Sequence, residues 1–286
     1  MVRLSPQAGP ERGRSLIAAI LVGVAACLSG IAARAADDPP VADPPGEGGW
    51  IATVGGNMNI SPRYLGAEIY GFGGLPDISF RKAGTPAEFS PPEDGLDFEL
   101  LGDRVFSAGL VANIRESRYG SLDRQLRGLR SYPIAPDIGV YAQAWLLPEA
   151  LRARVEVRQG LRDGDGTVAD IFVDAVRRVG AFTLSAGPRM TFADASANRL
   201  EFGVSDDRAT LNPAPAFHPS AGLRTVGLGA AVSYDWSPEW RTTLYYKYDR
   251  LVGDAAQSPI VRLYGSANQM TFGLGIHYSF RTPIFD

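Results

Sequence analysis

The chain of 286 residues contains one cysteine and two histidines, and its longest apolar run ends before residue 35. Each shortage closes a class of function. The single cysteine, Cys27, lies within an N-terminal apolar tract, so a chain processed beyond it has neither disulfides nor thiol chemistry. His218 stands among Pro213, Pro215 and Pro219, and His277 lies near the C-terminus; with no His-Glu-x-x-His and no cysteine pair, no metal-ligand spacing is present. Basic residues number 28 and acidic residues 31, a formal charge of −3 that provides no clustered basic surface for nucleic acid. A helix crossing a bilayer needs about 20 apolar residues. The run at 16–28 is shorter, and no later stretch approaches that length, which argues against helical anchoring.

What is present begins with an export signal. Arg3, Arg12 and Arg14 precede the run at 16–28, and Ala33-Arg34-Ala35 forms a small-residue exit, so residues 1–35 read as a cleaved secretory signal peptide. A lipoprotein site at Val24-Ala25-Ala26-Cys27 is the competing reading, disfavoured because the apolar run continues through Leu28 and Ile31. Cleavage after Ala35 removes Cys27 together with Arg3, Arg12, Arg14, Arg34 and Glu11, leaving 24 basic and 30 acidic residues and a formal charge of −6. Residues 36–49, with four prolines and a glycine-rich end, read as a flexible lead-in.

From Trp50 onward the dominant pattern has period two. Met270, Phe272, Leu274, Ile276, Tyr278 and Phe280 share one face of an extended segment, and Thr271, Gly273, Gly275, His277 and Ser279 share the other. The same alternation recurs at Trp50, Ala52, Val54, Met58 and Ile60, and at Leu151, Ala153, Val155 and Val157. Opposite the last group stand Arg152, Arg154, Glu156 and Arg158, which lipid would not tolerate and a barrel lumen would. Asp170 and Asp174 on the next segment have the parity to pair with them. The pattern predicts a transmembrane antiparallel up-and-down β-barrel over residues 50–280. About twelve strands are expected, near 50–60, 71–82, 86–91, 95–101, 105–114, 138–146, 151–159, 168–178, 181–192, 223–235, 239–250 and 270–280, followed by an extension at 281–286. Turns at Gly102-Asp103-Arg104, Leu147-Pro148-Glu149, Val179-Gly180 and Ser237-Pro238-Glu239 then fall at one end, with the long segments after Ile114, Phe192 and Arg250 at the other. Trp50, Trp236, Trp240 and Phe280 gather at the short-turn end as an interfacial girdle. A soluble barrel or exported sandwich is the alternative, because alternation alone does not say which face is wet.

Little in the chain suggests catalysis. An outer-membrane lipase would need a nucleophile beside His277, and none is indicated. Asp163-Gly164-Asp165-Gly166 resembles the start of a calcium loop but lacks the downstream glutamate and suits a tight turn. No cofactor is expected.

The last third carries a resemblance. Asp249, Arg250, Leu251, Gly253 and Asp254, then Ser258 and Pro259, then Gly265, Ser266, Asn268 and Gln269, followed by the strand ending at Phe280, are similar to the C-terminal signature of the MipA/OmpV family of outer-membrane proteins. Phe202-Gly203-Val204-Ser205, Gly187-Pro188-Arg189 and Pro62-Arg63-Tyr64-Leu65-Gly66 extend it. Two departures stand out: Glu201 occupies a position usually aromatic, and residues 281–286 follow the terminal aromatic. The resemblance implies a non-enzymatic barrel in the Gram-negative outer membrane, inserted by the barrel assembly machinery and surrounded by outer-membrane lipid. It also implies a scaffold role in peptidoglycan synthesis, with a lytic transglycosylase and a penicillin-binding protein as partners. A small-solute channel or a stress-responsive barrel is the alternative.

Overall fold

The computed structural model describes residues 42–284, apart from 86, 88, 121 and 122. Residues 1–41, expected from sequence to be a signal peptide and the start of a lead-in, lie outside the described residues. Eleven strands form one antiparallel sheet: β1 Trp50–Pro62, β2 Tyr70–Lys82, β3 Leu96–Gly102, β4 Phe106–Arg115, β5 Ala135–Leu147, β6 Leu151–Gly160, β7 Thr167–Val179, β8 Phe182–Ala193, β9 Gly222–Asp235, β10 Trp240–Leu251 and β11 Asn268–Thr282. Sequence neighbours pair as hairpins from β3 to β11, and β1 pairs with β11 from Trp50↔Thr282 to Ile60↔Phe272. That last pairing rolls the meander into a nearly closed barrel, with β2 and β3 as its two free edges.

Eleven strands stand where about twelve were expected, and the difference lies at 86–91. The described residues there are not in a strand. Pro86, Pro91 and Pro92 remove ladder donors from this stretch, which confines such a sequence to edges or loops. The remaining strands fall within a few residues of their expected limits.

Side-chain placement is inverted relative to a water-soluble barrel. Phe72 (92% exposed), Phe98, Ile138, Leu244 and Phe272 project outward, whereas Arg152, Arg154, Glu156 and Asp174 are buried. Short connections at 103–105, 148–150, 180–181 and 236–239 occupy one end. At the other end lie 63–69, 116–134, 161–166, 194–221 and 252–267.

Among the described residues four short α-helices fold within the long connections: α1 Ala195–Phe202, α2 Asp206–Ala209, α3 Gly253–Gln257 and α4 Pro259–Tyr264. Local sequence starts two of them. Asp194 caps α1 by accepting from the Ala197 N–H at 2.7 Å, and Ser258 caps α4 with Pro259 at its first position. The helices pack Tyr64, Ala67, Leu126, Leu129, Val204, Ala214 and Ile260 into one apolar cluster, and Phe202, Leu251, Ala255 and Val261 into a second. The loop end is therefore a packed cap.

Gly66 fixes one corner of that cap. Its φ is +92°, and a Cβ there would lie 2.8 Å from Val261 Cγ2. Gly66→Ala is expected to destabilise the cap by about 1–3 kcal/mol through backbone strain and overpacking. A lower thermal midpoint, followed on unboiled gels, is the measurement.

Candidate functional site

Alternation on β6 aims Arg152, Arg154, Glu156 and Arg158 to the inside, where register sets Arg152 opposite Asp174 and Glu156 opposite Asp170. Arg152 donates to Asp174 Oδ2 at 2.7 Å and to Asp94 Oδ2 at 2.6 Å. Arg154 donates to Glu156 and to Asp97, both at 2.8 Å, and stacks 4.1 Å over the Tyr141 ring. Arg158 bridges Glu156 and Asp170, and Thr191 Oγ1 donates to Asp170. Arg189 of β8 holds Asp174 Oδ1 at 2.7 Å and Glu93 at 2.5 Å. Arg152 and Asp174 are both 0% exposed, and Arg154 is 1% exposed. Charges lining an open aqueous channel would be exposed; Arg152, Arg154, Glu156 and Asp174 are buried, and each has an oppositely charged partner.

Half of this network was invisible in the strand pattern. Glu93 and Asp94 come from segment 89–95, which crosses the interior instead of joining the wall. Phe89 lies 6.2 Å from the Trp145 ring near the short-turn end, and Gly95 lies against Val111 and Ala112. Arg152 covers the Phe89 ring at 4.9 Å and also donates to its carbonyl. Glu93 reaches far enough to meet Gly229 of β9, where a Cβ would fall 2.6 Å from its carboxylate. Arg189 was noted only as part of Gly187-Pro188-Arg189. No period-two signal assigns it a partner 96 residues away.

The residues of the C-terminal signature assemble in and beneath the cap. Gln269 accepts from the Gly66 N–H at 3.0 Å and donates to the Ala67 and Ser266 carbonyls, tying β11 to the first loop. Gly265 forms a bridge with Ala67, and the Ser266 N–H donates to the Gly66 carbonyl. Ser258 Oγ donates to the Phe202 carbonyl, and Asp254 accepts from the Ser220 N–H. Asn268 receives Arg250 and Tyr248, Asp249 pairs with Lys247 at 3.0 Å, and Leu251 is buried in the second cluster. Gly253, at φ +54°, turns the chain into α3. Arg118 and Tyr132 add to the same cap: Arg118 donates to the Leu200, Glu201 and Arg130 carbonyls, and Tyr132 to the Glu201 carboxylate. Burial first, then Glu201, raises the Tyr132 phenol well above its ordinary range, so it remains a donor.

At the short-turn end, Trp50 begins β1, Trp236 and Trp240 flank the turn after β9, and Phe280 lies opposite Ala52. Aromatic contacts extend around this rim from Phe182 to Tyr234 to Trp236 and from Trp240 to Tyr278 to Phe280, at centroid distances of 4.7 to 6.0 Å. Residues 42–49 fold back here. Asp43 accepts from Arg81 at 2.8 Å and from the Gly84 N–H at 2.7 Å, and Arg281, expected in an extension but paired within β11, donates to the Pro44 carbonyl. His277 meets Asp77 at 3.1 Å and His218 meets Asp206 at 3.6 Å, on opposite ends of the molecule. Asp165 accepts from Arg162 within a turn where Gly164 and Gly166 both have positive φ. Among the described residues no group of three or more His, Cys, Asp or Glu is placed to hold a metal.

The chain is similar to several known proteins. Outer membrane protein OmpV of Vibrio cholerae is 24% identical over 243 residues, covering 82% of this chain and 88% of its own. Solved structures with a similar course include an outer membrane channel from Pseudomonas putida F1, at 9% identity and TM-score 0.39, covering 86% of this chain and all of the channel. OmpT of Vibrio cholerae, at 9% identity and TM-score 0.34, covers 84% of this chain and all of its own. The sequence pattern of the family described as MltA-interacting protein MipA matches residues 54–280, the whole barrel from within β1 to near the end of β11. The chain is therefore a member of the MipA/OmpV family of outer-membrane β-barrels.

Proposed function

We propose that this barrel is an interaction platform of the outer membrane, serving peptidoglycan synthesis and remodelling by holding murein enzymes at its periplasmic rim. The observation that carries the reading is the filled ionic interior: with Arg152 and Asp174 at 0% exposure, the resting barrel does not work by open diffusion. Short turns face the periplasm in bacterial barrels, which assigns the aromatic rim and residues 42–49 to the murein side. The family description names MltA as what the protein MipA interacts with, and a lytic transglycosylase and a penicillin-binding protein are the partners proposed for this chain. The chain reaches the membrane through cleavage after Ala35 and insertion by the barrel assembly machinery, with Phe280 inside β11 and Thr282 ending that strand.

The turn Trp236-Ser237-Pro238-Glu239-Trp240 offers two exposed indoles beside a carboxylate, the residue types that anchor interfaces. Retention of a periplasmic lytic transglycosylase on the immobilised, folded barrel is the expected result. Trp236→Ala is expected to weaken retention about fivefold or more, as loss of an interface anchor does. Equal retention by wild type and by boiled barrel would remove the reading.

A further inference from the structure

Segment 89–95 has an unusual place in the topology. Every ladder in the sheet is antiparallel, so β2 and β3, counted around the ring in either direction, run the same way. Bacterial single-chain barrels have even strand numbers because hairpins close them antiparallel. Eleven strands leave a seam between β2 and β3 that only a strand running the other way can fill with antiparallel ladders on both sides. The chain that connects β2 to β3 runs that way, yet it passes through the lumen.

What keeps it there is ionic. Arg152 and Arg189 grip opposite oxygens of Asp174, and each turns a second guanidinium edge inward, Arg152 onto Asp94 and Arg189 onto Glu93. Two arginines and one wall carboxylate leave a local excess of positive charge, and onto it fold Glu93 and Asp94, adjacent acids of the crossing segment. A bidentate carboxylate site built from wall residues is thus filled by the protein's own acids. Pro91 and Pro92 weaken the segment as a strand, so the clasp decides which position it takes.

We propose that residues 89–95 form a displaceable plug, and that Glu93 and Asp94 occupy a lumen site for small carboxylate-bearing anions on Arg189 and Arg152. Withdrawal of the plug toward the β2–β3 seam opens an anion-preferring path. This gating is independent of partner binding at the rim: the barrel is closed at rest and conducts when the clasp is released.

The test is current across a planar bilayer containing the purified mature barrel. Glu93→Gln/Asp94→Asn removes both charges that hold the plug. Gly229→Ala keeps every ionic residue and sets a methyl 2.6 Å from the Glu93 carboxylate. Both variants, confirmed as folded by their shift on heating, are expected to raise open probability on the order of tenfold over wild type. Reversal potentials in a potassium chloride gradient are expected to shift toward chloride. Succinate added to the open variant is expected to reduce the current by occupying the freed arginines. Folded variants with no more current than wild type, a shift toward potassium, or a current indifferent to succinate would overturn the proposal.

Discussion

Arg152→Ala is expected to prevent the barrel from reaching its compact, detergent-resistant form, or to leave it about 3–5 kcal/mol less stable where it folds. The magnitude follows from what the truncation leaves behind. Asp174 would keep one partner, Arg189, and Asp94 would lose its bidentate clasp, with both carboxylates still buried. Burying a charge without a partner costs far more than an exposed salt bridge gains, because neither water nor protein then solvates it. The Phe89 ring would also lose the guanidinium that covers it. Arg152→Lys keeps the charge but cannot span Asp94 and Asp174 with a planar fork, so an intermediate loss is expected. Urea titration in lipid vesicles, followed by the mobility difference between unboiled and boiled samples, measures the series. If the truncation is compensated by Asp174→Asn, the loss belongs to the unpaired acid; if the two losses add, Arg152 acts mainly through Asp94 and Phe89.

The wall of this barrel was legible because its physics is local. Period two with arginines at 152, 154 and 158 specifies which face turns away from lipid over a single strand, and hairpin turns such as Val179-Gly180 separate one strand from the next. Segment 89–95 was illegible for the converse reason. Its first residues fall in the expected strand at 86–91, and only partners such as Arg152 and Arg189, 58 and 96 residues from their acids, show that it belongs inside. Prolines 86, 91 and 92 are the sequence signal against a ladder there. In the cap, the signature Gly265, Ser266 and Gln269 had no assigned role in sequence. The Gln269 amide acquires one only when β11 brings it beside Gly66, 203 residues earlier. The capping signals at Asp194 and Ser258-Pro259 were readable but short, each starting a helix of eight residues or fewer.

Arg118→Ala is expected to have the largest effect on the cap while leaving the wall intact. Helix α1 ends at Phe202, and its last carbonyls need donors that the helix itself cannot supply. Arg118, from the loop after β4, donates to the Leu200 and Glu201 carbonyls and to the Arg130 carbonyl, and it lies 5.0 Å over the Tyr132 ring. Removing it leaves buried acceptors unmet and a cavity between two loops, a loss of about 2–4 kcal/mol from charge-assisted hydrogen bonds and packing. Because the ionic interior and the strand ladders do not include Arg118, that loss is local. Trypsin added to vesicles is therefore expected to cut the variant within 116–134 and 194–221, where Arg127, Arg130 and Arg199 already lie at the surface and the loosened backbone around them can enter the protease site. The strands should remain protected, and the sample should still shift on heating. Wild type should resist cleavage in both loops under the same conditions. Loss of the heat shift together with cleavage would show that cap and wall unfold as one unit. Arg118→Met, which fills the space without donating, separates the two contributions: cleavage equal to that of Arg118→Ala assigns the effect to the orphaned carbonyls, and protection assigns it to the cavity.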